Sequence, residues 1–152
     1  MTFGYYELLL VVHIITVVVG IGTVSLNGIY GAQAKKAGPN GGNAVVRANF
    51  AVSSIAEYFI YAIPVTGILM VLEHEAWDFE QTWVWLSIVL YVAAVGVSHG
   101  VLRPSSKRMI ELTAGPPTPE VDVVGKKLAM AGMTNELIAV ALIVLMVWKP
   151  GL

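Results

Sequence analysis

Cysteine is absent from this chain, which excludes disulfides, thiolate metal sites and thiol redox chemistry. Charge is scarce as well: Asp, Glu, Lys and Arg make up 12% of the residues, where soluble domains carry about a quarter. There is no phosphate-cradling glycine loop, nucleophile elbow or paired-histidine zinc motif, and no basic patch suited to nucleic acid. Two-residue alternation of apolar and polar side chains is also missing, which excludes the strands of a membrane barrel. What is abundant is apolar surface: 57% of residues are hydrophobic and the mean hydropathy is +0.74. Such a chain belongs in lipid, where only helices and closed barrels satisfy their own backbone.

A crossing helix needs roughly 20 mainly apolar residues. Four segments qualify, at about 5–30, 50–72, 83–102 and 128–148. The first has no charged residue between Leu8 and Gln33, the second holds only Glu57, the third none, and the fourth only Glu136. Together they fill the 152 residues, so the expectation is a single four-span domain, 1–152, all-α, folded as an integral membrane four-helix bundle. Met1 to Glu7 lacks the basic start of a cleavable signal.

The connections sort by charge. The first, around Gly38-Pro39-Asn40-Gly41-Gly42, carries Lys35, Lys36 and Arg47; the third carries Arg103, Lys107, Arg108, Lys126 and Lys127. The second has no Lys or Arg but holds Glu73, Glu75, Asp78 and Glu80. Eight of the nine basic residues thus lie in alternate loops, which predicts that those loops are cytoplasmic and both termini outside, N-out/C-out. In that orientation Tyr5, Tyr6, Trp77, Trp83, Trp85 and Trp148 form an outer aromatic belt in a multi-pass membrane protein. The third connection, with Pro104, Pro116, Pro117 and Pro119, reads as a solvated loop.

Polar and small residues three or four apart mark the faces that pack inward. The first span offers His13, Thr16, Gly20, Thr23 and Asn27; the second Ser54, Glu57, Tyr61 and Pro64; the third Ser87, Tyr91, Ala94 and Ser98; the fourth Gly132, Asn135 or Glu136, Ala139 and Ile143. An ionisable side chain in hydrocarbon costs at least about 2.5–3.5 kcal/mol, so each is a candidate for function. At about 1.5 Å per residue, His13 lies roughly 12 Å from the outer boundary, Glu136 roughly 18 Å, and Glu57 and His99 roughly 24 Å. His13 and His99 are therefore not level and do not share one iron. Pro64 leaves the carbonyl of Ile60 without its helical donor, and His13 could do no more than donate to that carbonyl or to Tyr61. His99 is about 100° off its helix's polar face and reads as a surface residue. Glu57 and Glu136 need partners to stay charged at such depth; a hydrogen-bonded strut between spans two and four is the plain reading and proton carriage the functional one.

The run Leu8-Leu9-Leu10-Val11-Val12-His13-Ile14-Ile15, then Gly20-Ile21-Gly22, resembles the first helix of several four-span bacterial families. Ile63-Pro64-Val65-Thr66-Gly67, Trp83-Val84-Trp85-Leu86 and Leu102-Arg103-Pro104 extend the likeness over nearly the whole chain to a bacterial family of four-span integral membrane proteins of unknown function. More distantly, the first-helix histidine and the ending Asn135-Glu136-Leu137 through Trp148-Lys149-Pro150 resemble the J-type protoporphyrinogen oxidases, and the histidine alone the copper-resistance membrane proteins. The J-type enzymes pair that histidine with a lysine at the position that is Ser87 here. What this resemblance implies is therefore haem b or a porphyrin held through His13, with Glu57 and Tyr61 beside it, rather than porphyrinogen oxidation. Two other classes fit the same bundle: a non-catalytic accessory subunit of a membrane complex, and a proton-coupled small-solute transporter working as a homo-oligomer, since four short spans without an inverted repeat leave little room for alternating access.

Overall fold

The computed structural model describes residues 4–151, so the outermost residues of the expected 1–152 unit lie outside it. Four long apolar helices make up the fold: α1 (Tyr5–Pro39), α2 (Gly41–Glu73), α3 (Thr82–Thr113) and α4 (Glu120–Trp148). No strand occurs among the described residues, and the architecture is an all-α membrane four-helix bundle.

Each helix outruns its apolar stretch at the basic end. The connection expected over residues 31–49 is helical almost throughout, because Ala32 to Ala37 are mostly good helix formers and a helix need not stop where the hydrocarbon does. The reversal is confined to Gly38, whose φ of 60° and ψ of −156° place it where a side chain is strained. The third connection likewise shrinks to Ala114–Pro119, and the helices on either side of it are strapped together by charge. Arg108 grips Glu120 with two parallel hydrogen bonds of 2.8 Å and Glu111 with one of 3.0 Å. Across the same end the Asn43 amide donates to the carbonyl of Ile110 at 2.8 Å and to Thr113 Oγ1 at 3.0 Å, joining α2 to α3. The two basic connections therefore lie together.

α1 and α2 pack closely along the stripe read from the sequence of α1. Leu9, His13, Thr16 and Gly20 are buried in steps of four, three and four, and α2 answers with Ala56, Thr66 and Met70. At Gly20 the two backbones nearly touch: a Cβ there would lie 3.0 Å from Ile60 Cγ1 and 3.1 Å from the Ile60 amide nitrogen. The polar stripe of α2, by contrast, faces away from this seam, with Tyr61 40% exposed. Small residues such as Gly20 and Ala56 let the helices approach closely, which maximises dispersion where apolar burial alone drives little association.

At the acidic end, Val71, Trp83 and Val84 form a buried cluster against Trp77 and Met146. Trp77 stacks on His74 at 4.3 Å and meets Trp83 and Tyr6 edge-on at 5.2 and 5.7 Å. The Lys149 ammonium, just past α4, sits 4.1 Å over the Trp77 ring. Four of these elements meet in one aromatic clamp, while Tyr5, Trp85 and Trp148 point outward.

Candidate functional site

Two separate groups of polar residues hold the histidines of the spans and Glu57. The first lies inside the α1–α2 seam. His13 is 9% exposed, and its Nδ1 is 2.8 Å from Thr66 Oγ1. Thr66 has one hydroxyl proton, which it directs to the carbonyls of Ala62 at 2.9 Å and Ile63 at 3.0 Å. With the Thr66 proton on one of these carbonyls the imidazole is the donor, with Nδ1 carrying the proton and Nε2 keeping its lone pair. Gly67 lets α2 approach the same edge of the ring; a Cβ there would stand 3.4 Å from His13 Cε1 and 3.8 Å from Nδ1. Thr16 donates to the carbonyl of His13 at 2.7 Å, a bond within its own helix.

The second group lies on the flank of α2 and α3, at the basic half of the bundle. Glu57 forms an ion pair with Arg103. His99 Nδ1 donates to the carbonyl of Val95 at 3.1 Å, so in the neutral ring Nε2 accepts the Tyr61 hydroxyl, 2.8 Å away. Ser54, Ile55, Glu57, Tyr58, Tyr61 and Arg103 line a cleft of about 470 Å³ that opens sideways from the bundle.

A distortion of α3 builds this cleft. Residues Ser98–Leu102 form a π-turn, in which the Arg103 amide bonds to the Ser98 carbonyl five residues back. Pro104 supplies the cause: it has no amide proton for the carbonyl of Gly100, and its ring crowds that carbonyl. The extra residue places Arg103 where residue 102 would stand in an unbroken helix, one turn below Ser98 on the Ser87-Tyr91-Ala94-Ser98 stripe. That stripe faces α2, since the Tyr91 hydroxyl donates to the Ile60 carbonyl at 3.3 Å.

The expected site is therefore divided. His13 does not meet Glu57 or Tyr61; it bonds Thr66, about 13 Å further along α2 than Glu57. The Ile60 carbonyl freed by Pro64 is taken by Tyr91, not by His13. Glu57 and Glu136 do not form a strut: Glu136 bonds Ser25 on α1 at 2.9 Å through both oxygens. Asn27 accepts from Ser53 at 3.1 Å, Ser87 donates to its own helix at Trp83 at 2.6 Å, and Asn135 keeps a buried Oδ1 without a partner among the described residues. Two partners escaped the sequence reading. Thr66 was findable by depth, being about as far from the acidic end of α2 as His13 is from that of α1. Arg103 falls by its charge in the third connection, and only Pro104, with Gly96 and Gly100 before it, hints at the distortion that recruits it.

Four apolar helices with ionisable groups held in partnered pairs at membrane depth define an integral membrane bundle. A family model described as "Predicted integral membrane protein (DUF2269)" matches residues 7–150, and the chain belongs to that family. No curated protein and no solved structure matches it. These comparisons do not show the likeness to J-type protoporphyrinogen oxidases or to copper-resistance proteins. Among the described residues no three His, Asp or Glu side chains gather as a metal site.

Proposed function

We propose that this protein binds a small lipid-soluble ligand with a hydrogen-bond-accepting head, a quinone being the concrete class, in the α2–α3 cleft. The observation that carries the reading is an ion pair lining an open cavity at the side of an apolar bundle, where an unneeded charge pair would be costly. Glu57 neutralises Arg103, which favours an uncharged head. Arg103 Nε and Nη2 and the Tyr58 hydroxyl have no acceptor among the described residues, and a carbonyl oxygen suits them. Ile55 and the open side leave the apolar body of the ligand in lipid. The protein sits in the bacterial cytoplasmic membrane with both termini outside; the grouping of both basic connections at one end supports this. The test is a titration of the detergent-solubilised protein with decylubiquinone: saturable binding by wild type that is lost in the Glu57→Leu/Arg103→Leu variant is expected, and no saturable binding overturns the reading.

Haem b on His13 is the second reading, and one observation favours it. Donation of Nδ1–H to Thr66 leaves Nε2 free to ligate, the arrangement that orients histidines bound to metals. The close packing at Gly20 and Gly67 argues against a porphyrin slot in this seam. Reduced-minus-oxidised α and β bands in wild type, absent from His13→Ala, would establish haem there; a colourless protein made with haem precursors supplied would remove it.

A further inference from the structure

On the other flank of α3 lies a longer groove of about 560 Å³, walled by α3 and α4. Val97 and Val101 come from α3; Val123, Lys126, Lys127, Met130, Ala131 and Thr134 come from α4. The α4 residues recur in steps of three and one, so they share one helical face. The π-turn again shapes the site, because Val97 immediately precedes it and Val101 lies within it.

The groove is graded along its length. Apart from the two lysines and Thr134 its lining is aliphatic, and the lysines stand near its basic end. From Lys127 to Thr134 the helix runs about 10 Å toward the membrane centre, most of the depth of one leaflet's hydrocarbon. Neither lysine forms an ion pair among the described residues, and no Asp or Glu lines the groove. Long lysine side chains let their ammonium groups rise to the headgroup level while the stems lie on apolar surface.

We infer that this groove holds one anionic phospholipid, its phosphate between Lys126 and Lys127 and an acyl chain along Val97, Val101, Met130 and Thr134. Charge complementarity selects the occupant: an aliphatic trough alone would accept any lipid, and two unpaired ammonium groups at its mouth favour a negative head. The site is independent of the α2–α3 cleft and uses none of its residues.

Native mass spectrometry of the full chain in mild detergent tests the inference, with phosphatidylglycerol and phosphatidylcholine of matched chains offered together. Wild type is expected to retain phosphatidylglycerol roughly thirtyfold in preference, as two nearby lysines should give. Lys126→Gln/Lys127→Gln should remove that preference, whereas Lys35→Gln/Lys36→Gln, equal in charge lost, should keep it. Absence of a preference in wild type, its survival in the first variant, or equal loss in both would overturn the inference. Soluble glycerol phosphate at millimolar concentration should not displace the bound lipid; displacement would show that the groove takes no acyl chain.

Discussion

Trp83→Ala is expected to destabilise the bundle more than any other single truncation, by about 3–5 kcal/mol. For a chain of this size that corresponds to a fall of about 6–20 °C in melting temperature. Trp83 is 3% exposed and is the centre of the only cluster that gathers several buried apolar side chains among the described residues. Its ring packs on Trp77, its indole N–H donates to Gln81 Oε1 at 3.0 Å, and Lys149 lies 5.5 Å from its face. Removing it leaves a cavity where α2, α3, the acidic connection and the end of α4 meet. Trp85, two residues on and 47% exposed, supplies the control: Trp85→Ala should shift melting by less than about 2 °C. Equal shifts in the two variants, measured by thermal denaturation in one detergent, would contradict the clamp.

Gly20→Leu is expected to lower the melting temperature by about 4–12 °C, an overpacking cost of about 2–3 kcal/mol. The first added atom would already lie 3.1 Å from the backbone nitrogen of Ile60 and 3.4 Å from the carbonyl carbon of Phe59. Backbone cannot rotate aside as a flexible side chain can, so α1 and α2 must separate. Gly22, two residues away, has nothing within 4 Å of a Cβ, and Gly22→Leu should be neutral or slightly stabilising. Similar melting for both variants would mean that the seam is not close-packed. The same separation would disturb His13 and Thr66, which hold each other across this seam.

Helix number and apolar character were legible because lipid imposes a length and a composition that few other constraints disturb. The inward face of α1 was legible too, since His13, Thr16 and Gly20 obey the helical period and are buried. Helix ends were not, because hydropathy reports where hydrocarbon stops and not where a helix does; Lys35, Lys36 and Arg108 all lie on helices that continue into the polar region. The polar stripe of α2 misled for a different reason. Spacing shows that Ser54, Glu57 and Tyr61 share a face but not which neighbour that face meets, and the seam went to Gly20, Ala56 and Gly67 instead. The pairing of Glu57 with Arg103 was hidden by the π-turn, which breaks the period on which the reading depended.

The central claim is that the ligand seat is the Glu57–Arg103 cleft and not the histidine in the closed seam. Decylubiquinone titrations run in parallel on wild type, Arg103→Leu and His13→Ala test it most directly. Saturable binding that His13→Ala retains and Arg103→Leu loses is the predicted result. Binding that survives Arg103→Leu and disappears with His13→Ala would contradict the account and return the site to the α1–α2 seam.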